Sequence, residues 1–567
     1  MVWQCLALSS YAQTPTFDRA TTCASSQNIF PSGPTKLATD AQGNTIVGGI
    51  FDGSTLLGST ILTSAGAVPV DPTLLAPTDV FVAKLDAAGT YLWAVQGVGT
   101  LREEVTDLGV DSNGDVYVTG TFESYSVSFG GITLYNSSRW RDGFIAKLNG
   151  TTGQWLWARR FGGTYEDFPT ALAITPQGQV YIAGSLWSDT ADFGSFILPY
   201  SQTGHAFIAK LDGAGNWLWA RDAGTRAPQI TSMVHSAQGE LYLAGIFKYG
   251  SVSFGATTLT TQLIPNSGSN TGGDVFVAKC TDGGTWLWAI QGDAVTNQNL
   301  LDLSIIQLTQ DTSGHLYVCG RYEGSAMRVG STVLPNMSSR VGGASLRFHG
   351  DVFVARLEAA TGTWQWATRA GGMQDDVLGA IALGGQGRLY VAAGIYGWPA
   401  AFESPLLGGG RVQLAQLDAG TGAWVWAQAI SPAVARTITT DNAGRLYVGG
   451  FFTSSTATFG ATTLPQAGPG QSTGFVARLT SGPLATHAPA PGRLGLDVWP
   501  NPTNVREVWV RGAAPGQLVR VLDLLGREVG RGQMPPVGAL KLKLPDQLSP
   551  GVYLVSISGQ AQQLVVE

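Results

Sequence analysis

The 567-residue sequence predicts an all-β protein, a seven-bladed β-propeller followed by a small Ig-like β-sandwich. Three recurring phrases carry that expectation. Trp-x-Trp occurs at 155–157, 217–219, 286–288, 364–366 and 424–426, with Tyr91-Leu92-Trp93 as a sixth copy. A phrase like Asp79-Val-Phe-Val-Ala-Lys-Leu85 precedes each one, anchored at Phe81, Phe144, Phe207, Phe276 and Phe353 with a degraded copy around Gln413, and occurs a seventh time at Phe475. A phrase like Val116-Tyr117-Val118 comes before that, in seven variants. A chain that repeats itself at this period is assembled from copies of one supersecondary unit.

Each phrase reads as a strand, because apolar residues alternate, β-branched and aromatic types dominate, and Gly-rich turns bound every run. A unit holds four such runs, as in 108–110, 116–120, 144–148 and 155–158. Four antiparallel strands per unit, in seven units over 13–480, describe the propeller. Units of about 60 residues exceed the ~40–45 of WD40 blades, which suggests longer loops rather than more strands. The Trp strand has only six copies. Thr16-Phe17-Asp18-Arg19-Ala20 stands where a remnant of the missing copy would be, so residues near 14–22 are expected to complete the seventh blade and leave no long open edge. The two Trp of each copy share one face of a strand. Eleven of the 17 Trp belong to these strands, and their presence in every unit points to packing between sheets rather than to a local sugar site.

Residues 1–12 read as the remnant of a secretory signal peptide, with Ser10 and Ala12 placed for cleavage before Gln13. The absent basic n-region suggests a start assigned too far downstream. A net charge of −6 with 13% charged residues and no basic run argues against nucleic acid. No apolar stretch of spanning length occurs, so no transmembrane segment is expected. Cys23, Cys280 and Cys319 are irregularly spaced and imply neither a disulfide framework nor a metal cluster. Cys280 and Cys319 read as small buried hydrophobes. No cofactor is expected.

Residues 481–493 form a Pro/Ala linker, and 494–567 carry alternating strands without the repeat phrases. This last segment closely resembles the type A C-terminal sorting domain of the type IX secretion system of Bacteroidota. The resemblance rests on Val498-Trp-Pro500-Asn501-Pro502, on Val521-Leu-Asp523-Leu-Leu-Gly526-Arg527, and on Leu548-Ser-Pro-Gly551-Val-Tyr553-Leu. It implies an Ig-like sandwich, export by the type IX machinery through 494–567, and a cell-surface or secreted destination after removal of the domain. One departure is Gln562-Gln563 where such domains often carry Lys or Arg, which bears on processing. The repeats are similar to β-propeller repeats of secreted bacterial proteins through phrases such as Phe129-Gly-Gly-Ile-Thr-Leu134 and Phe459-Gly-Ala-Thr-Thr-Leu464. That resemblance implies a fold and no shared activity.

Catalytic signatures are nearly missing. Gly470-Gln-Ser472-Thr-Gly474 matches a nucleophile elbow in letters only, since it leads into a strand rather than a helix. Asp111-Ser-Asn113-Gly-Asp115 suits a type I turn better than a calcium loop, because it lacks the bidentate Glu. The loops between second and third strands vary most in length, and variable loops on a rigid scaffold are where binding concentrates. The connections between units carry acidic pairs, Glu103-Glu104, Glu166-Asp167 and Asp375-Asp376, with Glu103, Asp167 and Asp376 equally placed after the preceding Trp. These six residues are the candidate ligand-binding face. The expected role is non-enzymatic binding or adhesion to carbohydrate or protein by a monomer. An extracellular polysaccharide-active enzyme using Glu103, Asp167 and Asp376, or a structural surface-layer protein, are the rivals.

Overall fold

The repeated phrases become the second, third and fourth strands of antiparallel sheets. The computed structural model describes residues 16–566 except 27–32, 67–76, 200–204, 225–227, 249, 262–272, 296–305, 338–348, 373, 397–400, 403–411, 431, 469–470, 481–496, 500–506, 512–515, 524–526, 536–539, 546–547, 550 and 558–559. The signal remnant at 1–12, the linker at 481–493 and Gly470 lie outside the described residues. The chain divides into two units, Met1–Gly482 and Pro483–Glu567.

In the first unit one strand order recurs. The first sheet is Gly33–Thr39, Thr45–Phe51, Asp79–Leu85 and Tyr91–Val98, hydrogen-bonded in that order. The second is Glu103–Val110, Val116–Phe122, Asp142–Leu148 and Trp155–Phe161, and the third is Asp167–Ile174, Val180–Leu186, His205–Leu211 and Trp217–Asp222. The fourth, fifth and sixth begin at Gln229, Gln307 and Val377. The seventh runs Val434–Thr440, Leu446–Phe452 and Ser472–Thr480, and its fourth strand is Thr16–Ser26 from the other end of the chain.

Burial explains the composition of the strands. Third strands such as Asp79–Leu85 and Asp142–Leu148 are buried at every position, because sheets cover both of their faces. Apolar clusters therefore form between neighbouring sheets. One joins Val82 and Trp93 of the first sheet to Val118 and Phe144 of the second. Another joins Tyr447 and Val476 of the seventh to Val47 and Phe81 of the first. The result is a propeller-like arrangement of sheets.

The two Trp of each fourth strand have separate tasks. The second packs on the next sheet. Gly153 and Gly215 hold φ of +72° and +80°, and a Cβ at either would stand 2.7 Å from the ring of Trp93 or Trp157. The turn thus needs Gly twice, once for its backbone and once for the indole. Trp93 and Trp157 also donate their indole N–H to the carbonyls of Gly150 and Gly213, at 3.2 and 3.1 Å. The first Trp packs on the hairpin of its own repeat unit, with Trp155 4.8 Å from Phe129 and Trp217 5.1 Å from Phe193 between ring centroids. In the seventh sheet Phe17 holds this first position, 5.3 Å from Phe459. Arg19 holds the second and donates to the Ala87 carbonyl.

The extra length of each unit is not simply loop, contrary to the sequence expectation. Two-stranded hairpins such as Ser126–Phe129 with Ile132–Tyr135 and Thr456–Phe459 with Thr462–Pro465 follow the second strand. A lone hairpin is marginal in water. The first of these forms because its strand Ser126–Phe129 pairs with Tyr91–Val98 of the preceding sheet and Val127, Phe129 and Leu134 find buried partners under Trp155 of the same repeat unit.

The second unit has two antiparallel sheets. One is Asp497–Trp499, Glu507–Arg511 and Leu540–Lys543; the other is Glu528–Gln533, Leu518–Leu522, Gly551–Ile557 and Gln560–Val566. Val508 and Val510 from the first and Val519, Val521, Val555 and Leu564 from the second share one core.

Candidate functional site

Turns between first and second strands are closed by the repeat phrases themselves. Asp111 Oδ1 accepts the backbone N–H of Asn113 and Asp115 at 2.9 and 3.0 Å. Its Oδ2 accepts the Tyr117 hydroxyl at 3.1 Å, and Lys147 reaches Asp115 at 2.9 Å. Lys147 also stands 4.8 Å above the Tyr117 ring. The Tyr of the second strand, the Lys of the third and the Asp of the turn make one latch. A cation is already supplied by the chain at this turn.

The opposite ends of these strands carry the aligned acids. Glu103, Asp167 and Asp376 are fully buried. Each begins, or nearly begins, the first strand of its sheet, and each donates its backbone N–H to the preceding sheet, at Thr78, Arg141 and Gly350, over 2.8–2.9 Å. Each faces a second buried acid at the head of the preceding third strand: Asp79, Asp142 or Asp351.

The acids hold the connecting loops. Asp79 accepts the N–H groups of Gly99 and Ala65 at 3.0 and 3.1 Å. Glu103 Oε1 accepts the Ser124 hydroxyl. Asp167 accepts from Gly163 N–H at 2.8 Å, Ser188 hydroxyl at 2.6 Å and Trp187 N–H at 3.0 Å. Asp376 accepts from Gly372 and Tyr396 N–H at 3.0 and 2.7 Å. Asp142 is paired with Arg160 at 2.8 Å.

Burial pushes the carboxyls up, and the neighbouring acid adds to it. Glu103 rises to about 8, Asp376 to about 8 and Asp167 to about 6. Glu103 Oε2 has no partner while both acids of its pair are ionised. A proton on Glu103 supplies the donor, and Asp79 then accepts it. In that state one proton would serve both acids across the boundary of two sheets.

The three acids belong to three boundaries, between sheets one and two, two and three, and five and six. The structure pairs each with its own partner and does not bring the three together. Their chain neighbours face outward to different degrees. Glu104 pairs with Arg102 at 2.8 Å, Glu166 is half-buried, and Asp375 is exposed and bridged to Arg321 at 2.7 Å. Among the described residues no group of three or more His, Cys, Asp or Glu is placed to hold a metal ion.

Two features have little trace in the sequence. One is a cavity of about 810 Å³ lined by the first strands of all seven sheets, including Thr35, Thr106, Thr170, Thr231, Gln307 and Arg436. Thr35 and Thr231 stitch neighbouring strands by donating to the Val105 and Ile306 carbonyls at 3.2 and 2.7 Å. Thr at matching points of four units is the only sequence signal for it. The other is a group of exposed rings, Trp140, Tyr165 and Trp187, around Glu166 and Asp167.

In the second unit, Asp523 accepts the backbone N–H of Arg527 at 2.9 Å and pairs with its guanidinium at 2.7 Å. Tyr553 is buried and donates its hydroxyl to the Ser549 carbonyl at 2.8 Å. Gly551 opens the strand Gly551–Ile557. Pro500, Asn501, Pro502 and Gly526 lie outside the described residues.

No family model matches the chain. Regulatory protein FlaEY of Caulobacter vibrioides is 26% identical over 368 residues, which is 62% of this chain and 36% of that protein. An uncharacterised WD repeat-containing protein of Acanthamoeba polyphaga mimivirus is 26% identical over 150 residues, 25% of this chain and 9% of that protein. The chain thus spans about a third or less of the length of these relatives. Among solved structures, a protein of unknown function from Dyadobacter fermentans is similar with a TM-score of 0.36 at 11% identity, over 67% of this chain and 95% of that one. Quinohemoprotein alcohol dehydrogenase from Comamonas testosteroni is similar with a TM-score of 0.35 at 10% identity, over 81% and 76%. At these values the solved structures carry no argument about function, and the propeller-like reading of this chain rests on its own strand pairing.

Proposed function

We propose that the first unit is a seven-bladed propeller closed by its N-terminal strand, that the second is an Ig-like sorting domain, and that the whole is an exported, non-enzymatic binding or adhesion protein. The blade count is supported by seven sheets of one strand order among the described residues. The sorting role rests on the motif resemblance around Asp523, Gly551 and Tyr553, with the type IX machinery as partner and the cell surface or medium as destination.

The observation that carries the binding role is the fate of the aligned acids. Glu103, Asp167 and Asp376 are buried, spent on loop N–H groups, and dispersed over three boundaries. Most glycoside hydrolases use two carboxyls flanking one bond in an open cleft. A rigid ring with diverse surface loops suits recognition instead.

Two measurements test this. Full-length protein incubated with extracellular polysaccharides and cell-surface fractions should bind at least one of them and release no reducing sugar. Turnover that vanishes in Glu103→Ala, Asp167→Ala or Asp376→Ala would replace the reading with the enzymatic one. In a bacterium with type IX export, the full chain should leave the cell and a chain ending at 480 should stay inside. Export of the shortened chain would remove the sorting role.

A further inference from the structure

Aromatic side chains in this molecule are consumed by packing wherever the repeat places them. Three Trp and Tyr rings break that rule together. Trp140 is 45% exposed, Tyr165 47% and Trp187 52%, whereas the repeat residues Trp155 and Trp157 in the same region are buried. Leaving a large ring half in water forgoes ~1 kcal/mol or more of burial each. The backbone draws the three segments to one corner. Asp167 N–H bonds the Arg141 carbonyl, and Trp187 N–H bonds the Glu166 carbonyl at 3.1 Å. The Ser188 hydroxyl takes the Tyr165 N–H at 2.9 Å. The rings of Trp140 and Tyr165 lie 6.4 Å apart and 36° from parallel.

The corner is local. At the boundary of sheets one and two, the corresponding positions hold Pro77, Leu101 and Glu123. At that of sheets five and six they hold His349, Gln374 and Tyr396. Packing residues recur in this chain and these do not, which is the pattern of a ligand site. Two charged residues adjoin the rings in the chain, Arg141 after Trp140 and Glu166 after Tyr165. Arg141 is half-buried and stands 3.9 Å from both Glu104 and Glu123, too far to hydrogen-bond either. Among the described residues the Glu166 carboxylate takes no hydrogen bond. A second exposed pair, Tyr125 and Tyr135, is 6.0 Å apart. It is tied to the corner through Asn136, whose backbone N–H bonds Tyr125 and whose side chain donates to the Trp140 carbonyl at 2.7 Å.

We propose that Trp140, Tyr165 and Trp187 form a glycan-binding subsite: the ring faces stack on the C–H faces of pyranoses, and Arg141 and Glu166 bond their hydroxyls. This rests on the binding reading above and names its ligand class. Exposed rings with a fork donor and a carboxylate next to them in the chain fit a sugar, which is apolar on its faces and polar on its edges. An extended peptide calls for a strand edge or a continuous apolar groove. Trp140 and Tyr165 sit on bends and Trp187 on an irregular residue, all outside the strands. The Tyr125–Tyr135 pair extends the surface, so an oligosaccharide is preferred over a single sugar.

The test uses the full chain on a glycan array, followed by titration of the best oligosaccharide with intrinsic Trp fluorescence. The wild type should bind selectively. Trp140→Ala and Trp187→Ala should each weaken binding roughly tenfold or more, the effect of losing one stacking ring. Trp140→Tyr should restore most of it, and Leu218→Ala, 42% exposed on the strand Trp217–Asp222, should leave it unchanged. Melting curves should match the wild type, since the truncated rings are outside the core. Glycan binding that survives both Trp truncations would overturn the subsite while leaving the binding role intact. Absence of any glycan binding, with retention on a protein surface, would overturn the ligand class alone.

Discussion

Raising the pH should loosen the boundary between sheets one and two at its paired acids Glu103 and Asp79, and Glu103→Gln should remove that dependence. Burial comes first among the causes that lift Glu103 from 4.5 to about 8, with Asp79 adding to it. A carboxyl lifted on folding binds a proton more tightly in the folded chain than in the unfolded one. Its stabilising proton is fully present below the unfolded value and is lost as pH rises through the folded one. The window runs from 4.5 to about 8. At ~1.4 kcal/mol per unit the rigid limit is ~5 kcal/mol, and water entering the boundary brings it to roughly half. A unit of this size melts with an entropy near 1 kcal/mol/K, so the loss is a few degrees in Tm. The Gln amide keeps the shape, lets Ser124 donate as before and offers a permanent N–H to Asp79. Variant and parent should therefore melt together at pH 5, with the variant ahead by ~2–3 kcal/mol at pH 9. Calorimetry or fluorescence melts from pH 4.5 to 9 give the comparison. A difference independent of pH would show that the pair does not share a proton, and the argument would fail.

Other perturbations probe the packing and the closure. Gly215→Ala places a methyl against the Trp157 ring at a backbone angle of +80°, and should cost about 1–3 kcal/mol in urea unfolding; a neutral result would mean that the indole does not pack there. Asp18→Ala strips the ion-pair partner of Arg478, which is buried and also bonds the Ala87 carbonyl at 3.0 Å. A loss of ~1–2 kcal/mol and faster proteolysis near residue 26 should follow, and unchanged proteolysis would separate the N-terminal strand from the stability of the ring.

The strands were legible because their causes are local. A third strand covered on both faces has to be apolar throughout, and Asp-Val-Phe-Val-Ala-Lys-Leu shows it. The hairpins were not legible as strands, since runs such as Ser-Val-Ser-Phe are too short to show a period. Their apolar residues become meaningful only beneath Trp155. The replacement of the two Trp by Phe17 and Arg19 likewise acquires its sense from the pairing with Ser472–Thr480. Alignment after the preceding Trp singled out Glu103, Asp167 and Asp376, yet their burial depends on Asp79, Asp142 and Asp351 from another sheet. A pairing across a sheet boundary leaves no spacing rule behind. The exposed rings were harder still, because they come from three segments and repeat nowhere.

Scaffold and variable surface are separable in this molecule, and the acids are what separates them. The same backbone bond, from Glu103, Asp167 or Asp376 N–H to the preceding sheet, recurs at three boundaries. The N–H groups of Trp187 and Tyr396 bond the acid of their boundary in the same way, at 3.0 and 2.7 Å. Because main-chain groups make these bonds, the side chains beside them are under no demand from the fold. One boundary presents Pro77, Leu101 and Glu123, another Trp140, Tyr165 and Trp187, and a third His349, Gln374 and Tyr396. A buried carboxyl that fixes the loop from inside therefore leaves its outer face able to differ from sheet to sheet. Acid pairs read as chemistry in a linear sequence become, in the folded chain, anchors that leave the neighbouring side chains free to differ.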